Sequence, residues 1–431
     1  MEQMDEVSYC HSLFYGTNAT EDLANILIDS TYGEMAKVFV ISSGSEAMEA
    51  ALKLTRQYHI EKSPSEPQRC HFIARQQSYH GTTLGALAVG GHVARRVLYE
   101  PMLSTTNSRV SPCYTYRGKL SIIESDAAYI QRLEAELDAE FRRVGPEKVA
   151  AFIAEPIVGA ALGCVPGVKG YFQAMRRVCD KYGALLIMDE IMCGCGRAGP
   201  EPTERYARPL HAWQDPLIGV TPDIMTIGKG LGGGYQPVAA TLANHKVVDV
   251  LFNGSGAFSH GQTYQGHPIA CRAAVEVQRI IRDDELVANV RKQGALLEKL
   301  LKEKVGNHWA VGDIRGKGLF WGIEFVSNKS AKTPFEPSEA IAMGVHELAM
   351  REPFNISLYP GSGTADGKRG DHILISPAYN ITEAEIRFIV DTTASVVKQF
   401  FRQYADRPAL RNGQRPTMST TPKLQSNGLG R

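Results

Sequence analysis

The chain has 431 residues, 43% of them hydrophobic and 22% charged, with 47 basic and 46 acidic side chains and a formal net charge of +1. That length predicts one large and one smaller domain with ordinary globular cores. The balanced charge excludes a basic nucleic-acid footprint or a surface built for anionic membranes, so neither partner is expected.

The 8 cysteines are scattered, with Cys193 and Cys195 the nearest pair and no CxxC spacing. The pattern predicts reduced thiols, no metal site and a cytoplasmic location. The opening MEQMDEVSYC is acidic and has no apolar core, so it reads as neither a signal peptide nor a transit peptide. Residues 149–168 are the most apolar stretch. Pro156, Pro166 and several glycines break it, which predicts a buried strand and loop and not a membrane span.

Residues 1–36 read as a partial helical segment, with Thr20 capping a helix through Leu23, Ile26 and Leu27. Val38, Phe39, Val40 and Ile41 form a buried strand. Beyond it Ala47, Ala50, Ala51 and Leu54 recur at helical spacing, and Glu46 and Glu49 precede Lys53 and Arg56 as the helix dipole prefers. Ser43, Gly44 and Ser45 thus lie at a strand-to-helix junction, where the N–H groups of Gly44 and Ser45 suit a phosphate or simply belong to a capped helix. A strand over 71–75 leads to Tyr79 and His80, an aromatic able to stack on a planar ring or to pack, and a hydrogen-bond donor.

Residues 104–139 read as polar, ending in a helix. Another buried strand ends at Glu155. The run from Ala184 to Met188 is apolar throughout, as a strand covered on both faces should be, and stops at Asp189 and Glu190. Paired carboxylates there are either functional or solvated in the loop. Residues 201–216 read as a polar insertion. A short strand from Ile224 to Ile227 then reaches Lys229 among five glycines, Gly228, Gly230, Gly232, Gly233 and Gly234. Lys229 is either a surface lysine or, if desolvated beside a closely approaching ligand, an amine that attacks a carbonyl. Residues 237–243 (PVAATLA) read as one more short strand, and a glycine-rich turn then enters a helix.

From about Ile280 charged helices, a strand pair in GLFWGIEFV and two further helices indicate a smaller α+β domain. Thr382 and Glu385 form a capping box for a helix with Ile386, Ile389, Val390 and Val397 on its apolar side. The expected organisation is a large α/β domain over 37–279, a small domain over 280–401 and a disordered tail over 402–431. Alternating strands and helices predict a mostly parallel sheet covered by helices, with ligands bound at the carboxyl ends of its strands. Gly44, Tyr79, Glu155, Asp189 and Lys229 all fall at such ends. A reactive lysine, an aspartate, a stacking aromatic and a phosphate-binding helix start are the parts of a pyridoxal-phosphate site.

Seven motifs occur in order: SGSEAMEAALKL, SYHGTTLGAL, AEPIVG, LLIMDEIMCGCGRAG, PDIMTIGKGLGGG, GQTYQGHP and IRGKGLFWGIEF. On these the chain to about Phe400 resembles the class III pyridoxal-phosphate-dependent aminotransferases of fold type I. The resemblance implies an enzyme that moves an amino group between an amine or amino acid and a keto acid or aldehyde through a Lys229 Schiff base. It implies Asp189 as partner of the pyridine nitrogen, Ile191 and Tyr79 on the two faces of the ring, and Gly44 and Ser45 as phosphate ligands. Glu155 resembles the glutamate near the acceptor pocket, and Thr263 the residue that reaches the neighbouring subunit's phosphate in a homodimer. Arg369 lies near the place of a substrate-carboxylate arginine, and a solvated loop arginine is the alternative there. Other reactions on the same fold (aminomutase, decarboxylase, phospho-lyase) and an inactive truncated paralogue are the competing expectations. Family members carry residues upstream of the segment that opens here at Met1, so the chain is expected to bind cofactor and to transaminate poorly.

Overall fold

The structure is a computed structural model that describes residues 2–406. Its centre is a seven-stranded sheet of β1 (Met35–Ile41), β2 (His71–Arg75), β3 (Asn107–Val110), β4 (Val149–Ala154), β7 (Leu185–Asp189), β8 (Ile224–Ile227) and β9 (Ala239–Asn244). The spatial order is β1-β9-β8-β7-β4-β2-β3. All strands but β9 run the same way, because β9 pairs antiparallel with both β1 and β8 and the remaining pairings are parallel. β4 and β7 are buried at every position. Such apolar runs, covered on both faces, need helices above and below the sheet.

On one face the helix Gly44–Glu61 buries Ala47, Ala50, Ala51 and Leu54, the stripe expected from its spacing. On the other, Leu23 and Leu27 of the helix Asn18–Ser30 share a core with Phe152, Leu186, Trp213 and Ala274. The helix Tyr171–Tyr182 stops where Gly183 turns left-handed (φ 69°) and its N–H returns to Asp180 and Cys179.

A second, four-stranded antiparallel sheet has the order β10-β11-β13-β12, with β10 (Val311–Lys317), β11 (Phe320–Phe325), β12 (Tyr359–Ser362) and β13 (Asp371–Ile375). Its core contains Trp321, Ile323, Ile373, Ile386, Val390 and Val397, and is separate from the first. A hairpin of β5 (Ile157–Val158) and β6 (Val165–Pro166) fills the apolar loop after β4. Buried Glu324 on β11 joins the second sheet to the segment that follows β3. It pairs with Arg315 at 2.7 Å and Arg117 at 2.5 Å, and accepts from the Tyr114 hydroxyl.

Several local expectations change. The first long helix is capped by Thr17, whose hydroxyl accepts the Thr20 N–H, and Thr20 lies inside the helix. The polar stretch 104–139 contains strand β3, whose edge position relaxes the need for an apolar pattern. GLFWGIEFV is one strand, paired with the segment before it and with β13. Asp189 and Glu190 are not solvated: they are 4% and 0% exposed. The 201–216 insertion folds inward, burying His211, Trp213, Gln214 and Asp215. The Thr382–Glu385 capping box is present, and its helix runs to Ala405, so residues 402–405 are helical and not tail. The rest of the expected tail, from 407 on, lies outside the described residues, as does Met1. Among the described residues no helix is long and apolar enough to cross a membrane, and no group of histidine, cysteine and carboxylate side chains is arranged to hold a metal.

Candidate active site

Because β1, β2, β4, β7 and β8 point the same way, the residues after them converge. They line one cavity of about 270 Å³, with Gly44, Ser45, Tyr79, His80, Glu155, Asp189, Ile191 and Lys229 in its wall.

Asp189 closes β7, and its two oxygens are held by three donors. His80 Nδ1 is 2.8 Å from Oδ2, while the Ile191 N–H (3.1 Å) and the Thr226 hydroxyl (3.2 Å) reach Oδ1. An ionised carboxylate only accepts, so His80 carries its proton on Nδ1. His80 Nε2 is buried without a partner among the described residues. Glu155, at the end of β4, accepts the Tyr79 N–H at 3.1 Å and the Gly159 N–H at 3.0 Å. Burial pushes its carboxyl pKa up, opposed by the nearby His80. Glu155 therefore braces the backbone beneath the Tyr79 ring.

Lys229 is exposed by surface area, but that area opens into the cavity, where surrounding protein replaces bulk water. Burial lowers its pKa, against the attraction of Asp189 and Glu155. Its φ of 41° lies in the left-handed region, a conformation costly for a side-chain-bearing residue and often found at functional positions. On the opposite wall Ser43 caps the helix Gly44–Glu61 by accepting the Glu46 N–H. The Gly44 and Ser45 N–H groups, in the first turn, have no preceding turn to bond to, which leaves donors suited to an anion. The Ser45 hydroxyl accepts the Thr82 N–H at 3.0 Å, tying this helix start to the Tyr79–His80 loop.

These residues fit pyridoxal phosphate. A buried carboxylate suits a pyridinium nitrogen, a depressed lysine suits a carbonyl carbon, and a helix start suits a phosphate. Thr263 and Arg369 are not brought to this cavity. Thr263 is exposed on the loop before the helix Pro268–Asp283. Arg369 is exposed in a turn and bonded to Asp366 at 2.8 Å. The cavity also contains residues that the sequence reading missed, among them Met192, Gln236 and Val238, and Thr226 stands just behind Asp189. Thr226 had a legible signal, since it sits on the strand that carries Lys229. Gln236 had none.

Comparison with known proteins bears on the same cavity. The family described as aminotransferase class-III matches residues 1–393. An aminotransferase of Gibberella zeae is 54% identical over 92% of this chain and 75% of its own length. An uncharacterized aminotransferase of Schizosaccharomyces pombe is 44% identical over 92% of the chain and 83% of its own. Among solved structures, an amine transaminase from an uncultivated Pseudomonas species in its PLP-bound form superposes with a TM-score of 0.83 at 31% identity, covering 92% of this chain and 85% of that one.

Proposed function

The chain belongs to the class III aminotransferases and is a pyridoxal-phosphate-dependent transaminase acting between an amino donor and a keto acid acceptor; within that activity we propose that Lys229 is the covalent anchor of the cofactor and Asp189 its ring-nitrogen partner. The observation that carries this reading is the meeting of a pKa-lowered lysine, a buried carboxylate and a helix N-terminus in one cavity.

When bound, pyridoxal phosphate supplies an electrophilic carbon and a ring that accepts an electron pair. The chain's own residues do the rest. Lys229 Nζ, whose pKa burial lowers, would bond the cofactor's carbonyl carbon and would move a proton at the donor's reacting carbon. Asp189 holds a proton on the ring nitrogen, and His80 and Thr226 fix its orientation. Tyr79 and Ile191 line the cavity and would cover the faces of the ring, excluding water. The Gly44 and Ser45 N–H groups receive phosphate oxygens.

We read the molecule as a homodimer in which Thr263 of each subunit reaches the neighbouring subunit's phosphate. Supporting this are the exposed position of Thr263 and the exposed apolar side chains of Leu98, Tyr235, Phe252 and Tyr264. The separate cores support a large unit over 37–279 and a small one over 280–401, and the reduced thiols support a cytoplasmic setting. Donors of the amine or amino-acid class and acceptors of the keto-acid or aldehyde class are both within this reading.

The test is borohydride reduction of yellow holoprotein followed by peptide mapping. The label is expected on Lys229, and a label on another lysine overturns the assignment.

A further inference from the structure

Lys229 opens one short 3-10 turn, Lys229–Leu231, with its own φ at 41°. The turn closes when the Leu231 N–H reaches the Gly228 carbonyl at 2.9 Å. A left-handed residue that carries a side chain persists only where its surroundings over-determine it. The turn's own hydrogen bonds leave the carbonyls of Gly230 and Leu231 without donors. One side chain from a distant helix serves both. Gln278 Nε2, on the helix Pro268–Asp283, donates to the Leu231 carbonyl at 2.9 Å and to the Gly230 carbonyl at 3.2 Å.

Those partners fix the orientation of the amide, because carbonyls only accept and the NH2 end alone can donate to them. The other end has nothing. Gln278 is 4% exposed, and its Oε1 is buried without a partner among the described residues. A buried acceptor left unpaired is unfavourable, and an apolar side chain here would avoid that cost. The neighbours one helical turn away, Ala274, Val275 and Ile281, are apolar and buried. What the amide contributes at this position is its donor end, bonded to the Lys229 turn. Gly230 is also tightly enclosed: a Cβ there would come within 2.7 Å of the Tyr379 hydroxyl and 3.3 Å of the Cys195 Cβ.

Resting on the reading of Lys229 as the cofactor's anchor, we propose that Gln278 is a positioning residue for that lysine, its amide fixing the turn that keeps the Lys229 amine in the cavity and out of bulk water. Gln278 does not line that cavity and acts only through the turn.

The experiment compares wild type, Gln278→Leu and Gln278→Glu. Apo-protein is methylated with formaldehyde and cyanoborohydride across a range of pH, and modification is followed in the Lys229 peptide. Burial lowers the Lys229 pKa. A relaxed turn returns the amine toward water, so in Gln278→Leu the labelling midpoint should move up toward that of an ordinary lysine. In the holoenzyme kcat should fall about tenfold with the acceptor KM unchanged, because the lost hydrogen bonds act on the reacting amine and not on the acceptor. Gln278→Glu keeps the shape but donates only when its carboxyl is protonated, and burial raises the pKa of that group. Its turnover relative to wild type should rise as pH falls, a recovery absent from Gln278→Leu. A merely structural residue would lower the unfolding temperature and leave these readouts as in wild type. An unchanged Lys229 midpoint in Gln278→Leu overturns the proposal, and so does a Gln278→Glu that tracks wild type at every pH. If Gln278→Leu does not fold, the pH dependence of Gln278→Glu decides alone. A borohydride label on another lysine would overturn the anchor reading, while the apo-protein midpoint still decides whether Gln278 controls Lys229.

Discussion

At Asp189 both carboxylate oxygens are engaged before any cofactor arrives, by His80, Thr226 and the Ile191 N–H. Three donors on a buried carboxylate fix its direction. Asp189→Asn preserves the shape but removes the charge that retains a proton on the ring nitrogen. Cofactor should still bind, while turnover falls on the order of a hundredfold or more, as for other lost proton-holding groups. Near-normal turnover would remove Asp189 from the mechanism. His80→Phe leaves Oδ2 without its donor, at a cost of about tenfold in rate if one hydrogen bond to a charged group is lost. Single-turnover rates with cofactor content measured alongside would check this, because a loss explained wholly by missing cofactor would give His80 a different role. Asp189 was legible in the sequence because it ends an unbroken apolar strand abruptly, and Lys229 because it follows a short buried strand into a run of glycines. Glu190 was not. Its carboxylate is tied to the Ala212 and Trp213 N–H groups at 2.8 Å, partners more than twenty positions away, which local pattern cannot reveal.

The helix Gly44–Glu61 joins the phosphate end of the cavity to the ring-packing residue. A Cβ at Gly44 would approach three atoms of the Ile191 side chain to 3.0–3.2 Å, tighter than relaxed packing. Gly44→Ala should therefore weaken cofactor affinity by displacing Ile191, while the fold is retained because alanine suits a helix. Cofactor titration and thermal unfolding separate the two effects, and unchanged affinity would show that Ile191 moves freely. The inward-folded 201–216 segment has its own signature. His211 is fully buried, stacks parallel to Trp213 with ring centres 6.2 Å apart, and bonds Ser30 at 2.8 Å. Burial lowers its pKa to about 3. A histidine held neutral in the fold contributes stability that is complete above its ordinary value near 6.5 and is lost as pH falls toward about 3. His211→Phe keeps a stacking ring and loses the hydrogen bond. It should cost about 1 kcal/mol near neutral pH, with a shallower loss of stability on acidification. Parallel pH profiles for the two proteins in denaturant unfolding would contradict this.

For the whole molecule, the proposed homodimer would make the cavity one subunit's share of the site. Sedimentation should show a dimer, and Thr263→Ala should lower cofactor affinity in that dimer although Thr263 does not line its own subunit's cavity. An active monomer, or unaltered affinity in Thr263→Ala, would count against shared sites. The second sheet is tied to the segment after β3 through Glu324, which Arg117, Arg315 and Tyr114 satisfy jointly. Glu324→Ala leaves buried Arg315 without that charge and should destabilise the fold by about 3–5 kcal/mol, measurable as a lowered denaturation midpoint.

By itself the sequence determined the mostly parallel sheet, the strand ends that carry Gly44, Tyr79, Glu155, Asp189 and Lys229, and the helix face of Ala47, Ala50, Ala51 and Leu54. These follow from periodicity and from abrupt changes between apolar and polar residues, and both are local along the chain. Tertiary structure alone decided the rest: that Glu190 and the 201–216 segment are buried, that β3 is a strand, that Thr226 and His80 converge on one carboxylate, and that Arg369 is bonded to Asp366 away from the cavity. The physical reason is common to all of them. Edge pairing, burial of a polar group against distant backbone donors, and the pairing of charges depend on which segments meet in space, and residues far apart in sequence leave no periodic trace of that meeting.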